Sequence, residues 1–115
     1  MAQKFNIILD QGSYFEATVE LKNSENNPVD LTGYTFFSGV RYNYDRPIIL
    51  EFDITTIEPQ SGVLYFSLAS SETLDTPPNQ YIYDIYLFNG TEYFRILEGN
   101  LKITNRVTKY ESIQN

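Results

Sequence analysis

Glu51 and Asp53 are the two residues in this chain whose type and spacing come nearest to a reaction. Two positions apart on a strand they share a face, and paired carboxyls are what glycoside hydrolysis uses, set across a substrate cleft. No long active-site loop accompanies them, so a solvated sheet face accounts for the pair better. The chain has neither histidine nor cysteine. It therefore lacks the commonest general base, any thiol nucleophile or disulfide, and the usual transition-metal ligands. Calcium needs only oxygen ligands, but no Asp-x-Asp-x-Asp-Gly loop is present. The glycines stand singly at Gly12, Gly33, Gly39, Gly62, Gly90 and Gly99, which leaves neither a phosphate-binding loop nor a nucleophile elbow. The expectation is a protein with no catalytic residues, no cofactor and no metal.

Tyrosine is the next candidate, with ten residues in an aromatic content of 16%. It is a good strand former that tolerates half-exposure, so ordinary sheet surface accounts for much of it. Tyr42, Tyr44, Tyr86, Tyr93 and Phe88 would not all fit a core built from the opposite strand faces. Contact with a partner is the other reading, since tyrosine is enriched at interfaces. Tyr81 and Tyr83 follow Leu74 and Pro77-Pro78 at the spacing of a tyrosine corner, in which a hydroxyl near a strand start bonds back to upstream backbone.

Fifteen acids against eight bases give a net charge of -7. Such a chain repels phosphate backbones and anionic lipid, so neither nucleic acid nor membrane is an expected partner. Arg106 and Lys109 are too few to reverse this and better complement an acidic patch on a neighbouring subunit. The first apolar stretch, Phe5 to Leu9, is too short for a secretory core or a membrane span. The expectation is a soluble protein of a cytoplasm-like compartment.

Short strands separated by turn formers must position these residues. After Phe5 to Leu9 and the turn at Asp10-Gln11-Gly12, the alternation from Ser13 points Phe15, Ala17, Val19 and Leu21 inward and Tyr14, Glu16, Thr18 and Glu20 outward. Lys22 to Pro28 is a polar loop. Thr35 to Tyr42 sets Phe36, Ser38 and Val40 against Phe37, Gly39 and Arg41, with a large residue on each side. Asn43 to Pro47 is a turn, Ile48 to Thr55 is mostly apolar, and Pro59-Gln60-Ser61-Gly62 turns again. Val63 to Leu68 points Leu64, Phe66 and Leu68 inward. Ser70 to Leu74 predicts one serine-capped helical turn stopped by Pro77-Pro78. Tyr81 to Phe88 alternates Tyr81, Tyr83, Ile85 and Leu87 with Ile82, Asp84, Tyr86 and Phe88. Asn89-Gly90 predicts a tight two-residue hairpin turn with both residues at positive φ. Tyr93 to Leu97 returns antiparallel, Glu98-Gly99-Asn100 suggests a bulge, and Leu101 to Thr104 continues. These amount to an all-β antiparallel sandwich of about seven or eight strands over residues 1–104, with a polar tail at 105–115.

The ordered set Gln11-Gly12, Pro28-Val29-Asp30-Leu31-Thr32-Gly33-Tyr34, Gly62-Val63-Leu64, Tyr81-Ile82-Tyr83-Asp84-Ile85, Leu97-Glu98-Gly99 and Ile103-Thr104-Asn105-Arg106-Val107-Thr108 resembles the small immunoglobulin-like domains of tailed-bacteriophage virion proteins. It is similar in pattern to the opening domain of baseplate upper proteins. The resemblance implies an immunoglobulin-like sandwich that docks on other virion proteins in symmetric copies, in a particle assembled in the host cytoplasm, with no catalytic residue. The aromatic richness at Phe36-Phe37 and Tyr86 departs from that pattern. A carbohydrate-binding module that stacks tyrosines on host glycans is the alternative. The expected interface is the face bearing Ile82, Tyr86 and Phe88, with Tyr93 and Arg95 on the return strand, extended by an edge strand and by Arg106 and Lys109 in the tail. Asp84, set amid that apolar face, calls for a polar partner group.

Overall fold

The computed structural model describes residues 3–105 of the chain. Arg106 and Lys109, with the rest of the tail beyond Asn105, lie outside the described residues. Eight strands follow one another: β1 (Gln3–Lys4), β2 (Ile7–Asp10), β3 (Phe15–Glu20), β4 (Thr35–Arg41), β5 (Asp53–Thr55), β6 (Val63–Leu68), β7 (Asn79–Phe88) and β8 (Tyr93–Thr104). One sheet has the order β1-β8-β7-β4, with β2 also on β8; the other has the order β3-β6-β5. The chain changes sheet between β2 and β3, between β3 and β4, between β4 and β5, and between β6 and β7. That order is an immunoglobulin-like sandwich.

The alternation is as expected where one sheet face meets the core. Phe15, Ala17 and Val19 point inward while Glu16, Thr18 and Glu20 are exposed. Leu64, Phe66 and Leu68 on β6 meet Tyr81, Tyr83, Ile85 and Leu87 on β7 and Leu97, Leu101 and Ile103 on β8, all buried in one cluster. Each large side chain buried this way contributes about 1.5–3 kcal/mol relative to exposure. Phe52 joins the two layers, its ring 5.3 Å from Phe66 and 5.5 Å from Tyr83.

Four local features depart from the sequence expectations. The first strand is split and parallel: Gln3 and Lys4 pair with Leu97 and Glu98, and Ile7 to Asp10 with Leu101 to Thr104. The irregularity in β8 falls between the pairs Ile85/Leu97 and Tyr86/Arg95, so that Ile96 is the extra residue; the Glu98-Gly99-Asn100 stretch stays in register. The hairpin loop spans four residues, since Phe88 pairs with Tyr93. Gly90 alone has positive φ there, at 101°, because the Asn89 side-chain oxygen accepts from the backbone N–H groups of Thr91 and Glu92, each at 2.8 Å, and shapes the loop instead. The helix α1 (Ser70–Leu74) is capped from Ala69, whose N–H donates to Glu72 Oε1 at 3.0 Å, and a 3-10 turn over Pro59–Ser61 adds a second short helical piece.

Gly99 explains why the first strand breaks. A Cβ there would collide with the Phe5 carbonyl oxygen and stand 2.8 Å from its carbon. The backbone of Phe5 crosses that spot, donating its N–H to Glu98 O at 2.9 Å and accepting from the Tyr83 hydroxyl. Asn6 follows by accepting the Asn100 N–H at 3.0 Å. Tyr83, directly opposite Gly99 in register, therefore staples the strand break. Tyr81 makes the expected corner, its hydroxyl donating to Pro77 O at 2.5 Å. Burial pushes both phenols up, which keeps them protonated as donors.

Candidate interaction face

The outer face of the β4-β7-β8 sheet bears a depression. A groove of about 670 Å³ runs across it, lined by Phe37, Arg41, Ile82, Asp84, Tyr86 and Arg95 among others. Its floor exists because β4, β7 and β8 alternate in phase, so that Gly39 lies opposite Asp84 and Asp84 opposite Glu98. Its wall comes from the connection after β4. Ile48 folds back over Gly39, where a Cβ would lie 3.0 Å from the Ile48 Cδ1. The connection is tied down by two backbone bonds, Val40 N–H to Leu50 O at 2.9 Å and Ile49 N–H to Val40 O at 2.8 Å. Tyr44 hangs at the rim, its carbonyl accepting from Arg41 at 3.3 Å.

Arg95 organises the floor. Its Nε donates to the Tyr86 hydroxyl at 3.2 Å, and its guanidinium lies 5.5 Å from the Tyr86 ring centroid. The same group stands 3.8 Å from an Asp84 oxygen and 3.3 Å from Glu98 Oε1. The Tyr86 hydroxyl first, then the two acids, raise the guanidinium's affinity for its proton. Burial raises the Asp84 carboxyl above its ordinary value, against the opposing pull of Arg95 and Arg41, with Glu98 adding to the rise. Asp84 thus finds the polar partner group it calls for within the chain, in Arg95 of the return strand.

Of the residues expected at an interface, the structure gathers Ile82, Tyr86 and Arg95 into the groove. Phe88 and Tyr93 sit beyond it at the hairpin end, their rings stacked at 4.4 Å and 25°, with Phe37 6.1 Å from Tyr93. Sequence reasoning did not single out Lys4, Asn6, Arg41, Ile48 and Glu98 for this face, although all line the groove. The signal for the wall was Gly39, a glycine on an outward strand position that makes room for Ile48. Glu51 and Asp53 are exposed beside and on β5, in the other sheet. Among the described residues no group of acids is arranged to hold a metal.

The chain matches no family model and no curated protein. Among solved structures it is similar to the filamin domain of Lin-41, at a TM-score of 0.47 and 16% identity, over 85% of this chain and 81% of that one. It is similar to InlP of Listeria monocytogenes at a TM-score of 0.49 and 14% identity, over 90% of this chain and 28% of that one. The third is the N-terminal Ig1-2 module of the Drosophila receptor protein tyrosine phosphatase DLAR, at a TM-score of 0.48 and 10% identity, over 90% and 47%. This chain thus spans less than half of the latter two. The fold assignment rests on the strand order and pairing described above.

Proposed function

We propose that this domain is a non-catalytic docking module of a bacteriophage virion, present in several symmetric copies, that binds a neighbouring virion protein through the outer face of the β4-β7-β8 sheet. The groove carries this reading. It joins half-exposed aromatic and aliphatic surface to a guanidinium held by two acids and a phenol, the mixture of anchors and polar groups found at protein interfaces. The virion assignment is supported by the ordered motifs of the sequence. The non-catalytic assignment is supported by the placement of Glu51 and Asp53 on an exposed strand edge outside the groove.

The glycan-binding alternative draws less support. Sugar stacking needs free ring faces: the Arg95 guanidinium takes one face of Tyr86, and Phe88 and Tyr93 cover one face of each other, which leaves Tyr44 at the groove rim as the most exposed ring. The test is incorporation into particles. Ile82→Asp with Tyr86→Ala should give a folded protein, checked by its thermal transition, that is depleted from purified virions while the parent is retained. Equal incorporation of the folded variant, or absence of the parent from virions, would overturn the reading.

A further inference from the structure

We infer that the free edge of β3 is a second docking site, built to accept a basic extended segment of a partner protein as a fourth strand of the β3-β6-β5 sheet. This goes beyond the proposed function and rests on the other sheet. β3 ends its sheet on one side and pairs with β6 on the other, Phe15 to Glu20 facing Leu68 to Val63 with no slip. The next residue, Leu21, donates its N–H to Gly62 O at 2.8 Å. Hydrogen-bonded and open positions alternate along an antiparallel pair. Val19, Ala17 and Phe15 therefore bond to β6, and the N–H and C=O groups of Glu16, Thr18 and Glu20 face outward along the edge.

The other edges differ. That of β4 is bridged at Val40 by the bonds to Ile49 and Leu50, the opposite edge of the same sheet is split between β1 of two residues and β2 of four, and β5 is only three residues long. At β3 a regular six-residue strand keeps the backbone groups of Glu16, Thr18 and Glu20 open among the described residues, and the inward-pointing Phe15 and Ala17 are only half-buried while Val19, Leu64 and Phe66 are buried. An added strand would cover those two side chains as well as the backbone.

Charge selects the occupant. Glu16 and Glu20 flank the open groups on the exposed face, and Glu16, Ser67 and Asp53 form one cross-strand row. Glu16 accepts from the Tyr14 hydroxyl at 3.3 Å, and Glu20 lies 3.7 Å from Lys22, the one base beside it among the described residues. Two copies paired edge to edge about Thr18 would set Glu16 against Glu20 twice, and like charges directly opposed are unfavourable. A partner strand with lysine or arginine at those two positions, four residues apart, reverses that sign. Apolar residues at the alternate positions between them would lie beside Ala17 and Val19, and a further one beyond the residue opposite Glu16 would lie beside Phe15. Strand addition of this kind draws affinity from backbone bonds and specificity from alternate side chains.

The probe is a blocked synthetic peptide with Lys-Val-Thr-Val-Lys at its centre, added to the full chain and followed by amide hydrogen exchange. Slowed exchange at Glu16, Thr18 and Glu20 is expected, with no change at the β4 edge. Thr18→Pro removes an N–H that the fold does not use, so the domain should stay folded while the peptide binds at least about tenfold more weakly. Glu16→Lys with Glu20→Lys should transfer the preference to the peptide carrying Glu in place of Lys; this pair decides the matter if Thr18→Pro fails to fold. Absence of protection at β3 in the parent, binding unchanged by a folded Thr18→Pro variant, or a preference unmoved by charge reversal would overturn the inference.

Discussion

The outer faces of the two sheets obey the same alternation and have opposite chemistry. On the β3-β6-β5 sheet the outward strand positions read Glu16, Thr18, Glu20, Val63, Tyr65, Ser67, Asp53 and Thr55, a mostly polar sheet surface turned to water. On the β4-β7-β8 sheet they read Phe37, Arg41, Ile82, Asp84, Tyr86 and Arg95, and the connection through Ile48 roofs part of them into a groove. A period of two tells which side chains leave the core. It does not tell which outer face acquires walls, because walls come from residues distant in sequence. The basic side chains mark the same division: Lys4, Arg41 and Arg95 line the groove, whereas Lys22 is the base at the acidic edge.

The substitution that should damage this arrangement most is Gly99→Val. Its branched side chain would occupy the place of the Phe5 carbonyl and displace the backbone that Glu98 and Tyr83 hold. Loss of the strand-break contacts together with steric conflict places it among the severe cases, beyond about 3 kcal/mol. Thermal unfolding should shift down by on the order of 10 °C or more, or the protein should fail to fold. A midpoint within a few degrees of the parent would show that β1 is dispensable, and the groove wall near Lys4 and Asn6 with it.

Gly99 also shows where sequence reading succeeds and where it stops. A glycine between Glu98 and Asn100 was legible as a special backbone position, but a bulge and a close approach leave the same mark on a sequence. The structure chooses the approach and puts the bulge at Ile96, where nothing in residue type announces it. The core faces of β3 and β6 were legible because one side of each is buried, as was the Tyr81 corner, a local device within five residues. The parallel pairing of β1 and β2 with β8 spans almost the whole chain and had no local signature. Half of the groove followed from alternation on β7 and the neighbouring return strand, which brought Ile82, Tyr86 and Arg95 forward. The other half depends on the connection after β4 folding across Gly39, and the Arg95 pairing with Asp84 depends on a register that the bulge shifts.

Asp84→Asn is the smaller perturbation that probes the groove through pH. Burial holds the Asp84 carboxyl above its ordinary value of 3.8 despite Arg95, so the folded protein binds that proton more tightly than the unfolded chain. The stabilisation this provides is complete below the unfolded value and is lost as pH rises through the raised folded value. Asparagine has no such loss. The variant's thermal midpoint should therefore gain on the parent's as pH rises from the ordinary carboxylate value of 3.8, and level off above the raised folded value. The change should be no more than a few degrees, since the group is partly exposed and screened. A difference that instead moves in the parent's favour over that window would mean that the guanidinium outweighs burial, and that the groove floor is an ion pair first.

The same chemistry applied to the other face should do least. Glu51→Gln with Asp53→Asn neutralises two exposed carboxylates beside and on a three-residue edge strand, where no bond or ion pair to either side chain is present among the described residues. The expected stability change lies within about 0.5 kcal/mol, and its sign should be slightly favourable because the chain carries a net charge of -7 and gains from losing two negative charges. The β3 edge should keep its preference for a basic strand, weakened but not reversed, since Glu16 and Glu20 remain. Two results would break the contrast between the faces. A large destabilisation would mean that these acids hold the sandwich together. Loss in the double variant of a glycoside-hydrolysing activity demonstrated for the parent would move the chemistry of this domain from the groove to the strand edge, and the docking reading would fail with it.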